Sequence, residues 1–234
     1  MKQKIDPSNR SSGVFRDFHN VKSISMQRLG IVLGLALLLL LGVFAIGGFF
    51  HIPIKNLTSD PAAVAGQHAL IGMLSNLGVV FWCMAATSCI LAALLLWGRI
   101  PRKYFLFLLF SFLLSTFLMF DDLFQFHEDL SDTIGLNQKI IYVFLGLAMV
   151  SFLYYFKDIL LQTQLLPFGI ALGCLGISVV TDTVVYKLFG DQLGPWLYLI
   201  EDGSKWIGIV FWSYYFFYTS YRFIKNQFRD NDIA

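Results

Sequence analysis

Residues 29–50 read LGIVLGLALLLLLGVFAIGGFF, 22 positions without one charged side chain. About 20 mostly apolar residues suffice for a helix to cross the hydrocarbon core of a bilayer. This stretch therefore reads as a span, and five further runs repeat the pattern at about 69–98, 104–125, 140–156, 165–189 and 196–221. No segment alternates in the manner of a lipid-facing strand, and only helices and closed barrels satisfy their backbone polar groups in lipid. The expected fold class is an all-α polytopic membrane protein, a bundle of six transmembrane helices.

Composition agrees. Of 234 residues, 57% are hydrophobic and only 14% charged, against about 25% charged in soluble domains. The mean hydropathy is +0.67. The formal charge of +2 offers no basic surface for nucleic acid, so no nucleic-acid partner is expected. The partners that fit are membrane lipids and other membrane subunits.

Cations set the orientation. Lys2, Lys4, Arg10, Arg16, Lys22 and Arg28 precede the first span. Arg99, Arg102 and Lys103 follow the second, Lys157 the fourth, and Arg222, Lys225 and Arg229 the sixth. Opposite these thirteen stand only Lys55, Lys139 and Lys187, with Lys205 inside a span. Both termini are expected to be cytoplasmic, which suits an even number of spans. The implied layout is a polar, basic tail over 1–28, a transmembrane domain over 29–222, and a second tail over 223–234. The first span is too long for the apolar core of a signal peptide and is read as a retained helix.

The acids follow a different rule. Ten of the 15 fall in the half away from the basic tails: Asp60, Asp121, Asp122, Glu128, Asp129, Asp132, Asp182, Asp191, Glu201 and Asp202. Topology rules count Lys and Arg and do not require this, so the acidity asks for its own reason. At about 1.5 Å of rise per residue, several polar positions share one layer beneath the outer surface. Ser75 and Asn76 lie about 10 Å down the second span, and Glu201 and Asp202 about 8–9 Å down the sixth. Asp121 and Asp182 lie about 25 Å up from the inner side.

The helical period adds direction. It places Asp121, Gln125, Glu128 and Asp132 in one stripe, and Ser178, Asp182 and Tyr186 in another. His68, Ser75 and Asn76 share a face of the second span. Glu201, Asp202 and Lys205 share one sector, with Lys205 one turn from Glu201 as an internal counter-ion. Ionisable groups at membrane depth normally face the bundle interior or a wet cavity. The expectation is an outward-opening pocket built from the second, third, fifth and sixth spans. Two plainer readings compete: an interfacial helix end in contact with water, and a structural ion-pair network around Lys205.

The chemistry of such a layer is carboxylate chemistry. Asp121, Asp122, His127 and Glu128 bring oxygen and imidazole donors into eight residues, a set suited to a divalent metal. No pair of histidines has ligand spacing on a helix, and HExxH is absent. Asp182, Glu201, Asp202 and Lys205 are the candidate catalytic groups, and His68, Ser75, Asn76, Gln125, Ser178 and Tyr186 the candidate pocket lining. The function expected is a metal-dependent enzyme acting on a lipid or its headgroup. The alternatives are an accessory subunit of a larger membrane complex and a cation- or proton-coupled transporter. Cys83, Cys89 and Cys174 fall inside spans as small packing residues, and Gly169 and Gly173 form a GxxxG expected to be a packing face.

Overall fold

The computed structural model describes residues 26–59, 61–68, 70–125, 138–185, 188 and 195–231. Its helices are α1 (Met26–Phe50), α2 (Ile54–Thr58), α3 (Pro61–Val64), α4 (Met73–Leu95), α5 (Arg102–Phe124), α6 (Gln138–Gln162), α7 (Leu165–Val180) and α8 (Pro195–Asn231). A single π-helical turn, Thr181–Val185, continues α7. No strand occurs among the described residues. Among the described residues five stretches are long and apolar enough to cross a membrane: Leu29–Phe50, Met73–Leu95, Arg102–Phe124, Ile140–Gln162 and Leu165–Val185. The protein is an all-helical, multi-pass membrane protein.

Two compact units divide the chain at Ile71 and Gly72. In the first, the leucine-rich α1 keeps its apolar side chains exposed almost along its length, as a lipid-facing span does. His51 then turns left-handed (φ 56°), the Ile52 amide donates to the Gly47 carbonyl at 2.9 Å, and α2 follows. The second unit holds α4 to α8.

Packing in the second unit starts from α4. Gly78, Trp82, Ala85, Cys89 and Ala92 are buried, followed by Leu96 at the helix end. They recur at alternating steps of four and three, the spacing of a helix–helix seam. All but Trp82 and Leu96 are small, so α5 and α8 can pack on α4 closely, as small residues permit in membranes. Around this seam Phe107 of α5, Phe152 and Phe156 of α6, and Phe216 of α8 form an aromatic core with ring centroids 5.1–6.5 Å apart.

At one end of the unit the helix termini carry basic residues. Lys103 of α5 pairs with Asp158 of α6 at 2.6 Å, Tyr104 donates to Gln162 at 2.8 Å, and Arg99 lies over the Phe228 ring. α6 runs through Lys157 to Gln162, past the point where the sequence reading stops the fourth span. Its link to α7 is only Thr163 and Gln164, and the Thr163 hydroxyl meets the Tyr215 hydroxyl of α8 at 2.7 Å.

At 37 residues, α8 is about 55 Å long. Its polar positions keep it out of the set of plainly apolar spans, and several of them are spent inside the bundle. Trp212 Nε1 donates to Ser115 Oγ of α5 at 3.0 Å. The Ser213 hydroxyl donates to the Phe81 carbonyl of α4 at 2.9 Å. Side-chain hydrogen bonds of this kind join helices in lipid, where hydrophobic attraction between them is weak.

The GxxxG expectation is corrected here. Gly169 and Gly173 are exposed, and a Cβ on either would meet nothing within 4 Å. The close approach of α7 and α8 occurs instead at Gly208, where a Cβ would lie 2.8 Å from Leu175 Cγ and 3.0 Å from its backbone nitrogen. A backbone atom cannot move aside as a side chain can. Gly208→Val is therefore expected to cost about 1–3 kcal/mol by overpacking and to lower the melting temperature in detergent. Gly173→Val, which has open space, should leave the melt near wild type.

Candidate functional site

Trp82 lies in the middle of α4, and its indole Nε1 donates to Asp122 Oδ2 at 2.7 Å. Asp122 Oδ1 in turn pairs with Lys205 Nζ of α8 at 2.7 Å. The Asp122 side chain is only 7% exposed, whereas that of Lys205 is 33% exposed. The ammonium therefore reaches from a partly open position to a buried carboxylate. Three helices meet at this one carboxyl group. The sequence reading placed the counter-ion relation within α8. The ion pair seen here crosses to α5, because Asp122 in the last turn of α5 stands within reach of Lys205 in the third turn of α8.

A second polar link lies on the far wall. The Tyr142 hydroxyl of α6 donates to Asp182 Oδ2 at 2.8 Å. Asp182 sits in the π-helical turn after α7. Such turns are uncommon, and their wider spiral re-aims the side chains that follow. Between the two links lies a cavity of about 470 Å³, within the size range of small-molecule sites. Its polar lining is Asp121, Asp122, Asp182, Glu201, Asp202, Lys205, Ser178 and Tyr142. Its apolar lining comes from Leu114 and Leu118 of α5, Leu145 and Met149 of α6, and Leu172, Leu175 and Val179 of α7. Gly146 and Gly176 also line it. Among the described residues the lining holds five carboxylates and one ammonium.

The cavity exists because α6 and α7 touch each other little. Two residues join them at the basic end, and the Tyr142–Asp182 hydrogen bond joins them at the acidic end. The space between is not filled, since Gly146 and Gly176 have no side chains and a Cβ on either would meet nothing within 4 Å.

Of the expected site residues, the structure brings Asp121, Asp122, Ser178, Asp182, Glu201, Asp202 and Lys205 to this one cavity. Ser75 and Asn76 do not line it and are exposed in the first turn of α4. His68 is exposed, belongs to the other unit, and accepts from the Leu70 amide at 3.2 Å. Gln125 is exposed and takes a left-handed conformation (φ 50°, ψ 47°) that caps α5. The straight-helix stripe drawn from Asp121 toward Glu128 and Asp132 therefore stops at Gln125. His127, Glu128 and Tyr186 lie outside the described residues. No three His, Cys, Asp or Glu side chains among the described residues are grouped to hold a metal ion.

The sequence reading missed Trp82, Tyr142 and the whole α6 wall. One signal was available for Tyr142: a lone hydroxyl near the start of an apolar run, level with the acids. Nothing in the sequence singles out Trp82.

A family model spans residues 30–219, from α1 through every residue lining the cavity. The chain belongs to that family. It is described as a domain of unknown function, DUF8692. No curated protein and no solved structure matches the chain.

The Asp122 carboxylate supplies the test of this geometry. Removing one partner of a buried pair strands the other charge, at a cost of about 3–5 kcal/mol. Lys205 is one-third open, so the lower end of that range applies. Lys205→Met should depress the melting temperature in detergent, and Asp122→Asn combined with Lys205→Met should regain most of the loss. In the double variant the amide carbonyl introduced at position 122 still accepts from Trp82. Equal melts for wild type and Lys205→Met would show that the pair contributes nothing.

Proposed function

We propose that the protein is a six-span membrane protein, with both termini cytoplasmic, that receives the headgroup of a membrane lipid in the cavity of its outer half. The sixth span is α8. Its length suffices, and Lys205, Trp212, Ser213 and Tyr215 bond to neighbouring helices or to Thr163. The orientation rests on the thirteen-to-three division of cations. The observation that carries the lipid reading is the make-up of the cavity wall, with the carboxylates and hydroxyls gathered toward one end and Leu114, Leu145, Met149 and Leu172 toward the other. An amphiphile has the same division.

A metal-dependent lipid hydrolase is the second reading. Asp121, 6% exposed, lines the cavity six residues before His127, so these two with Glu128 are the set to complete a divalent site. The lipid-binding reading is preferred because Asp122 is already engaged by Lys205 and Trp82. Elemental analysis separates the two: stoichiometric zinc, manganese or iron in the purified protein favours the hydrolase. An accessory-subunit role is supported by the exposed apolar face of α7 along Leu166, Gly169, Gly173 and Ile177, which another membrane helix would cover.

Orientation is tested by labelling in a background without Cys83, Cys89 and Cys174. A membrane-impermeant thiol reagent should modify Lys55→Cys on intact cells, and Lys157→Cys or Arg229→Cys only after permeabilisation. The reverse pattern would overturn the topology. For the cavity, mass spectrometry of lipid retained through detergent exchange should find lipid on the wild type. Gly146→Leu, which fills the open wall, should lose it while keeping a wild-type melt.

A further inference from the structure

Hydroxyls inside helices usually satisfy themselves by bonding a carbonyl one turn back. Thr181 donates to the Ile177 carbonyl at 2.8 Å and Thr183 to the Val179 carbonyl at 2.6 Å. Ser111 does the same to Phe107 at 2.7 Å. Ser115 and Ser213 bond across helices. Ser178 differs. It is only 7% exposed, it lines the cavity, and its hydroxyl makes no hydrogen bond to any described residue. Thr116 Oγ1 also makes no hydrogen bond to a described residue, but Thr116 does not line the cavity; Ser178 does, so its hydroxyl is placed to bond what the cavity takes.

The neighbours say what that is. Asp182 lies one turn beyond Ser178 on the same wall, with one carboxylate oxygen occupied by Tyr142. Ionised carboxylates only accept hydrogen bonds. The lining offers five carboxyl groups against the single ammonium of Lys205. A group that donates several hydrogen bonds and carries positive charge complements this wall. An anionic headgroup meets repulsion, and a neutral alcohol offers one donor. From the polar end, the apolar wall continues down between α6 and α7, where Gly146 and Gly176 leave the side open.

Building on the lipid reading above, we infer that the cavity binds an amphiphile with a protonated amine. The ammonium lies between Ser178 and Asp182, and the alkyl tail passes between α6 and α7 over Gly146 and Gly176. The shared chemistry is a primary ammonium, which a lipid headgroup and a free small amine both carry. The tail-lined half of the cavity favours the lipid.

The test uses the full chain in nonionic detergent, with native mass spectrometry reporting bound probe. The probes are dodecylamine, dodecanol, dodecanoate and ethanolamine at matched concentration. Dodecylamine should bind about tenfold more tightly than dodecanol, the factor that one charge-assisted contact provides. Dodecanoate and tail-less ethanolamine should bind more weakly still. Ser178→Ala should reduce dodecylamine binding severalfold and leave dodecanol unchanged. Gly176→Leu should abolish binding of every alkyl probe, and Gly146→Leu serves if Gly176→Leu fails to fold. Equal binding of dodecylamine and dodecanol, both lost in Gly176→Leu, would overturn the amine inference and leave the lipid cavity standing. Ethanolamine binding as tightly as dodecylamine would overturn the tail placement. Binding of all alkyl probes undiminished in the folded Gly176→Leu variant would overturn the cavity reading itself.

Discussion

A carboxylate inside an apolar bundle must be compensated, and the arrangement of α4, α5 and α8 follows from how Asp122 is compensated. Isolated charges cost several kcal/mol at membrane depth. Asp122 meets the Lys205 ammonium on one oxygen and the Trp82 indole N–H on the other, each at 2.7 Å. These contacts require the last turn of α5, the middle of α4 and the third turn of α8 to lie side by side. The small residues along α4 make that approach possible, and the bond from Trp212 to Ser115 repeats the connection deeper in the bundle. The pair is a weak source of net stability, since desolvation offsets attraction. Its stronger effect is on register: sliding α8 by one turn would strand both charges.

The same constraint explains why α8 looks unlike a span. Lipid-facing helices are apolar all round, as α1 is. α8 instead lies between α4 and α7, and its Ser213, Trp212, Tyr215 and Lys205 each have a partner on another helix or at the Thr163 corner. Part of its lower hydropathy comes from these polar groups used inside the protein, the rest from exposed residues such as Asp202 and Tyr214 and from its polar last turns.

This divides what was legible from what was not. Helix positions could be read because bilayer thickness fixes a length, and the acidic layer could be read because rise per residue converts position into depth. Azimuth was the missing quantity. A sequence says how residues are arranged around their own helix, but not which side of that helix faces its neighbours. Ser75 and Asn76 lie at a suitable depth and are nonetheless exposed. Ser178 and Asp182 lie at a suitable depth and line the cavity. The same gap hid the partner of Lys205, since a counter-ion on another helix leaves no spacing to read. It also favoured Gly169 and Gly173 over Gly208, because a GxxxG is visible in sequence and a close approach at one glycine is not. Gln125 shows a further limit. A period drawn through residues 121 to 132 assumes that the helix continues, and a left-handed residue ends it.

The two halves of the second unit also constrain what the cavity can do. Its acidic end is open, yet toward the basic end the helices close on Phe107, Phe152, Phe156 and Phe216, whose rings pack against one another. Beyond them, Lys103 with Asp158 and Tyr104 with Gln162 tie α5 to α6. The cavity lining reaches toward this layer only as far as Leu114, Met149 and Leu172. An acid-headed and apolar-walled space with a side opening is suited to holding one end of a molecule that stays in the bilayer. That geometry is the one the lipid reading proposed above calls for.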